Sequence, residues 1–297
     1  MKIKVLKFGG TSVGSIEAIK RSADIIHDWS KKSKVIAVLS AMSGETDRLI
    51  NLTKSFSKNP NPIDFDNAIS SGENVSCALM SICLNNQKIK AKSLLSWQIP
   101  IITPSEHMKS RILSINKKFL YDELENFEVL LIPGFQGINN KGELTTLGRG
   151  GSDTSAVAVA AAMETECIIY TDVEGVFTTD PNIVPKAKKI NKISYEEMLE
   201  LASQGAKVLQ TRSVELAMRK NTKLSVRSSF KPKKIGTMIT DEKSVLENNT
   251  VSGITYSKDE AKITLSRVQD KPGVSSKIFG PLAKGNINVD MLSLIHI

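Results

Sequence analysis

Short apolar runs alternate with helical patterns along this chain, and loops dense in glycine, hydroxyl and charged residues directly follow the runs. Ile3–Phe8 reads as a first strand. Ser15 is placed to cap the next helix, where Ile16, Ile19, Ala23 and Ile26 recur at three- and four-residue intervals as one apolar stripe. Lys34–Leu39 gives a second buried strand, Val129 to Ile132 another, and Cys167 to Tyr170 a further one. Asp66 to Leu84 is expected to be largely helical, and Ser152 to Met163 forms an alanine-rich helix. Ser194-Tyr195-Glu196-Glu197 is a capping box that opens another helix, and Asn139-Asn140-Lys141-Gly142 is a turn signal. This order predicts an α/β fold, a mostly parallel sheet sandwiched between helices. Ligands of such sheets bind in the crevice at the carboxyl ends of the strands.

With 297 residues, 40% apolar and 24% charged, the chain can bury one large or two modest cores. Aromatic residues make up only 5%, so Ile, Val, Leu and Ala must fill most of that core. The apolar runs fall far short of the roughly 18 residues that span a bilayer. The start, Met1 to Lys7, alternates charge with apolar residues where a secretory signal needs an unbroken apolar segment. A cytoplasmic protein without membrane partners is expected. Cys77, Cys83 and Cys167 lack ligand spacing and read as buried free thiols. The formal charge of +9 is spread along the chain without aromatic interleaving, so a nucleic-acid partner is not expected. His27 and His107 have no partner pattern and are expected at the surface, and no metal-ligand cluster is visible.

Three loops carry chemistry. Lys7-Phe8-Gly9-Gly10-Thr11-Ser12-Val13-Gly14 follows the first strand. Its paired glycines let backbone N–H groups approach a phosphate, and Lys7 adds a mobile charge. An ordinary glycine-rich turn fits the same residues, and no Walker pattern is present. Thr145 to Asp153 (TTLGRGGSD) runs into the alanine-rich helix, bringing free N–H groups, the helix dipole and the Arg149 guanidinium together as an anion site. Arg149 can clamp a carboxylate in bidentate fashion; Asp153 alone could be a favourable first-turn acid, but a second phosphate-type loop in the same chain favours the functional reading. Thr171 to Pro181 (TDVEGVFTTDP) offers hydroxyls and carboxylates for a sugar, a base edge or hydrated magnesium, or simply closes a surface loop. Weaker candidates are Ser40 to Thr46 after the second strand, and Glu73, which suits an ammonium group or open solvent.

Taken together, KFGGTSVG at 7–14, Ser-Gly-Glu at 71–73, GFQGINNKGELTTLGRGGSDTSA at 134–156, YTDVEGVFTTDPNIVP at 170–185 and QGAKVLQTRSVELA at 204–217 resemble the signatures of the aspartokinase family, within the amino acid kinase fold. They stand in family order over residues 1–230. The resemblance implies an ATP-dependent kinase acting on the L-aspartate side-chain carboxylate, with Mg2+ bound mainly through the ATP phosphates. Lys7 and Asp153 would be catalytic, with Asp153 orienting Lys7. Lys7, Phe8, Gly9, Gly10, Ser152, Thr171, Asp172, Phe177, Asp180 and Lys207 would bind ATP. Ser40, Thr46, Glu73, Phe135 and Arg149 would bind aspartate, Arg149 on a carboxylate and Glu73 on the ammonium. Phe177 stands where some relatives are expected to have tyrosine, which removes a hydroxyl contact there.

Residues 231–250 read as a linker, and 251–297 resemble the start of an ACT regulatory domain, a partial α+β unit with Asp270-Lys271-Pro272-Gly273 at its first strand-to-helix turn. Strands are expected over 261–268 and 286–291, with a helix over 273–283 between them. The resemblance implies an amino-acid effector at a complete ACT region and a homo-oligomer in the full-length form. The sequence leaves the family pattern after about Met291, as in a truncated or frame-shifted fragment. Two other readings stay open: the same fold acting on glutamate, acetylglutamate, carbamate or UMP, and a non-catalytic amino-acid sensor.

Overall fold

A computed structural model describes residues 2–205, 208–241, 253–255, 263, 265, 268, 271–285 and 289. The chain divides into two units, Met1–Tyr256 and Ser257–Ile297. The strands of the first unit are β1 (Ile3–Phe8), β2 (Lys34–Leu39), β3 (Ala91–Ser93), β4 (Ile101–Ile102), β5 (Ser114–Ile115), β6 (Val129–Pro133), β7 (Gln136–Ile138), β8 (Leu144–Thr146), β9 (Cys167–Thr171), β10 (Lys192–Ser194), β11 (Leu224–Ser228) and β12 (Thr237–Thr240). Its helices are α1 (Ile16–Ser30), α2 (Glu45–Phe56), α3 (Pro62–Ile69), α4 (Ser71–Asn86), α5 (Lys117–Asn126), α6 (Gly151–Ala162), α7 (Tyr195–Ser203) and α8 (Thr211–Arg219).

Eight strands form one sheet in the order β10-β12-β11-β9-β1-β2-β6-β3, parallel throughout except where β11 meets β12. Successive strand residues point to opposite faces, and both faces are covered. Val5, Ile36, Val38, Leu130 and Ile132 join α6, α7 and α8 in one core. Leu6, Val35, Ala37, Leu39, Val129 and Leu131 join α1 and α4 in the other. Alanines let α6 sit deep, with every residue from Gly151 to Ala160 buried. The sandwiched parallel sheet expected from the sequence is the fold observed.

Local signals fix several boundaries. The Ser15 hydroxyl accepts from the Ala18 N–H and starts α1, and Ser194 with Glu197 forms a reciprocal capping box on α7. Other expectations need correction. Ile16, the first residue of α1, is 67% exposed and not part of the buried stripe. The stretch 66–84 is two helices divided at Ser70, and Gly72 sits within α4, where a Cβ would lie 2.8 Å from that of Ala41. A second sheet, β5-β4-β7-β8, was not foreseen. The main sheet extends through β12, so the boundary expected at 230 falls before its last strand and 231–250 is not wholly a linker. Cys77 and Cys167 are buried, whereas Cys83 is partly exposed.

In the second unit, α9 (Val274–Lys284) follows Gly273, a residue in the left-handed region at φ +88°. The helix matches the one expected there, while the strands expected over 261–268 and 286–291 fall largely outside the described residues. Among the described residues, no helix is long and apolar enough to cross a membrane.

The turn between β11 and β12 makes a checkable demand on packing. A Cβ at Gly236 would lie 1.7 Å from the Val226 carbonyl oxygen, so the backbones must part to admit it. Gly236→Ala should lower unfolding stability by about 1–3 kcal/mol in chemical denaturation, and an unchanged midpoint would contradict this packing.

Candidate functional site

The carboxyl ends of β1, β2, β6 and β9 lie together at one edge of the main sheet. The loops leaving them are tied to one another. Gly9 N–H donates to the Tyr170 carbonyl at 3.3 Å, Ser40 N–H to that of Phe8 at 3.1 Å, and Gly134 N–H to that of Leu39 at 2.9 Å. β1 is flanked by β2 on one side and β9 on the other, reached by connections that leave in opposite directions, which opens a crevice at this edge.

At its centre Lys7, on β1, meets Asp153, in the first turn of α6. The ammonium lies 2.7 Å from Oδ1, with the side chains 12% and 10% exposed. The contact is an ion pair without hydrogen-bond alignment. The ammonium also lies 3.2 Å from where a Cβ on Gly9 would stand, so it is folded back over the first glycine loop. Ser152 is buried beside Asp153, its Oγ 2.9 Å from the Cβ position of Gly134. The N-terminus of α6 is therefore packed onto the end of β6, with its free N–H groups and positive dipole end beside Lys7.

Arg149 stands between Gly148 and Gly150, both in the left-handed region at φ +76° and +68°. Gly150 is required twice over, because a Cβ there would also lie 2.1 Å from Gln210. Arg149 is exposed and makes no ion pair among the described residues. Phe135, after β6, holds a positive φ of 69° that a bulky side chain rarely adopts, and its ring edge lies 2.9 Å from the Cβ position of Gly151.

Glu73 is the most unusual group. It begins α4, is 3% exposed, and accepts one hydrogen bond, from Ala41 N–H to Oε1 at 3.1 Å. Oε2 is buried with no partner. Burial pushes its carboxyl up from the ordinary 4.5 to about 8, against the smaller opposing pull of the Ala41 N–H. A buried, half-satisfied carboxyl is costly unless something arrives to pair with it. Ala41 also touches the first loop, its carbonyl oxygen 3.2 Å from the Cβ position of Gly10. Glu73, Ala41, the Gly9-Gly10 pair, Lys7 and Asp153 thus follow one another across the crevice.

The remaining expected residues fall at this edge with differing engagement. Ser40 and Thr46 are half-buried, Thr46 in the first turn of α2. The Phe8 ring is fully buried and stacked on Tyr170 at 5.1 Å, so it supports the loop from below and only its backbone reaches the edge. Thr171 Oγ1 donates to Asp172 Oδ1 at 2.9 Å. Phe177 pairs with Lys189 in a β-bridge, and Asp180 Oδ1 accepts from Asn182 N–H at 2.9 Å to close its turn. Lys207 lies outside the described residues. Among the described residues no group of three His, Cys, Asp or Glu converges to hold a metal ion.

Sequence reasoning missed a buried carboxyl, Asp66 of α3, and misplaced its partner. His107, expected at the surface, is half-buried with Nδ1 2.9 Å from Asp66 Oδ2. The available signal was an acid sharing the buried face of a short helix with Ile69. Arg212 on α8 was missed as well; it donates to the Leu147 and Ser110 carbonyls at 2.7 and 2.8 Å.

Residues 2–228 match the model of the amino acid kinase family. The chain is 48% identical over 295 residues to an aspartate kinase of Pseudomonas putida, covering 98% of this chain and 72% of that one. It is 48% identical over 294 residues to an aspartokinase of Helicobacter pylori, covering 97% and 72%. Its fold is similar to that of E. coli aspartokinase III solved with aspartate and ADP, at a TM-score of 0.74 and 26% identity over 99% of this chain and 77% of that chain.

Glu73 supplies a pH signature. Its folded value lies above its unfolded one, so between about pH 4.5 and 8 the folded protein holds the extra proton and stability falls as pH rises. Glu73→Gln should flatten that slope, gaining on the parent by up to about 1.4 kcal/mol per pH unit across the interval, as read by denaturation at pH 5, 6, 7 and 8. Parallel profiles for the two proteins would refute the burial of an uncompensated carboxyl.

Proposed function

The chain belongs to the amino acid kinase family and, within it, to the aspartokinases, and from that premise we propose that it transfers the γ-phosphoryl group of ATP to the side-chain carboxylate of L-aspartate. The observation that carries this reading is the buried Glu73 carboxyl with one oxygen unpartnered, set at the same sheet edge as Lys7 and the loop of Arg149. An α-amino acid brings an ammonium group for Glu73 and carboxylates for Arg149, and a nucleotide brings phosphates for Lys7 and the glycine loops.

Aspartate's side-chain carboxylate is ionised at neutral pH, so it needs no general base to attack phosphorus. The obstacle is repulsion between this anion and the polyphosphate. Lys7, the α6 N-terminus and the backbone N–H groups of the glycine loops offset it, with Mg2+ entering as part of MgATP. A carboxylate oxygen bonds to the γ-phosphorus while the bond to the β-phosphate oxygen breaks, leaving ADP and the acyl phosphate 4-phospho-L-aspartate. Asp153 holds the Lys7 ammonium at the transfer point, and Ser152 hydrogen-bonds in the same loop. Phe8, Gly9, Gly10, Thr171, Asp172, Phe177, Asp180 and Lys207 bind the nucleotide, and Ser40, Thr46 and Phe135 line the aspartate pocket. The product feeds lysine, threonine and methionine synthesis.

The residues from about 251 on are read as an ACT-type unit, with α9 following the Gly273 turn as its first helix. An amino-acid effector and a homo-oligomer in the full-length form belong to this reading. E. coli aspartokinase III has been solved with both lysine and aspartate.

Coupled ADP release tests the reading. MgATP turnover is expected with L-aspartate and at background with glutamate, acetylglutamate, carbamate and UMP; turnover with glutamate but not aspartate would overturn it. Lys7→Ala should lower kcat by about 100-fold or more with the circular-dichroism spectrum unchanged. Parent-like turnover in that variant would refute the role given to Lys7.

A further inference from the structure

Asp66 is fully buried and accepts four hydrogen bonds. Oδ2 takes His107 Nδ1 at 2.9 Å, Met108 N–H at 3.0 Å and Thr146 N–H at 3.0 Å, and Oδ1 takes the Thr146 hydroxyl at 2.6 Å. Two of the four donors belong to Thr146, the last residue of β8 and three positions before Arg149. The next links are equally tied. The Thr146 carbonyl accepts from Ser110 N–H at 2.9 Å, Leu147 N–H donates to the Phe135 carbonyl at 2.8 Å, and the Leu147 carbonyl accepts from Arg212 at 2.7 Å. Beyond Leu147 the backbone turns through the left-handed glycines 148 and 150, and Arg149 projects from between them. On its far side the loop is tied to α6, where Gly151 N–H donates to the Gly148 carbonyl at 3.0 Å and Thr154 N–H to that of Gly150 at 3.1 Å; on its near side the stem is gripped from α3 by Asp66 and from α8 by Arg212.

A buried carboxyl is an expensive way to hold a strand if holding is all that is needed, since apolar packing does so at lower cost. What a carboxyl adds is direction. Charge-assisted hydrogen bonds are geometrically specific, and a displacement of about 1 Å at a binding group costs a large part of its effect. The Thr146 hydroxyl bond is the shortest of the four, and of the two made by side chains it is the one on the strand that leads to Arg149.

We propose that Asp66 is a positioning residue for aspartate recognition, acting through Thr146 to aim the loop that carries Arg149. This rests on the reading of Arg149 as the anchor of a substrate carboxylate. Asp66 touches neither substrate nor nucleotide, and its effect falls on aspartate binding rather than on phosphoryl transfer.

Thr146→Val and Thr146→Ser form the test. Valine keeps the shape of the residue and its backbone bond to Asp66 but loses the hydroxyl, whereas serine keeps the hydroxyl. In steady-state kinetics Thr146→Val should raise KM for aspartate about tenfold, with kcat and KM for ATP within about twofold of the parent. Thr146→Ser should restore KM for aspartate to within about twofold. Equal displacement of both KM values, or no displacement in the valine variant, would overturn the proposal. Asp66→Asn should act in the same direction if it folds, and the threonine pair decides if it does not. Amide exchange separates this inference from the substrate reading, because it needs no aspartate. In Thr146→Val, exchange at Thr146 and Leu147, whose N–H groups donate to Asp66 and to the Phe135 carbonyl, should quicken about tenfold while α6 beyond its first turn is unchanged. If the parent does not turn over aspartate, the substrate reading fails and the exchange result alone judges the positioning role; unchanged exchange would overturn it.

Discussion

The Lys7–Asp153 ion pair is the contact on which the rest of the site depends. Lys7 comes from the central strand β1 and Asp153 from the start of α6, so one contact joins the two glycine loops proposed to hold the phosphates. Such a pair, nearly closed to solvent, is weak evidence for stability, because the cost of desolvating both charges rivals their attraction. Its value is placement: a mobile ammonium is held at the sheet edge by a rigid helix. The apolar two-faced sheet beneath, and the alanine-rich α6 sunk into one face, keep those two groups at 2.7 Å.

Two buried carboxyls differ in how far their hydrogen bonding is satisfied. Asp66 has four donors and ties three segments together. Glu73 has one donor on one oxygen and nothing on the other, and burial raises its carboxyl to about 8. A satisfied buried acid is part of the scaffold. An unsatisfied one, at the start of a helix and beside the first glycine loop, carries a desolvation cost that no group of the described chain offsets, and the proposed substrate ammonium would offset it. Phe135, held at a positive φ against the Gly151 backbone, is a further strained element at the same edge.

Much of this was legible because local chemistry and global fold agree in these stretches. β1 and β2 were bounded by their apolar runs, and the caps at Ser15 and Ser194 are recognisable from residue type and spacing alone. Lys7, Arg149 and Asp153 stood out because two glycine loops and three further segments occur together in family order, whereas either glycine loop alone is a weak signal. The second sheet was not legible, since its strands are two or three residues long and carry no periodicity. β12 was hidden by the Lys-Pro-Lys-Lys run before it, whose turn chemistry reads as a linker even though the chain returns to the sheet. Asp66 and His107 were read singly, yet their meaning lies in a pairing across 41 positions that no local pattern encodes. Arg212 was hidden for the same reason, its acceptors being backbone carbonyls.

Where the phosphoryl group lands is the most direct question to put to this site. Incubation of the chain with MgATP, L-aspartate and hydroxylamine, followed by mass spectrometry, reports it, because hydroxylamine converts an acyl phosphate into a stable hydroxamate. Aspartyl β-hydroxamate equal in amount to the ADP released is the predicted result, with none from Lys7→Ala. ADP released without hydroxamate, or hydroxamate on the α-carboxylate, would contradict a crevice built to deliver the side-chain carboxylate to the γ-phosphate.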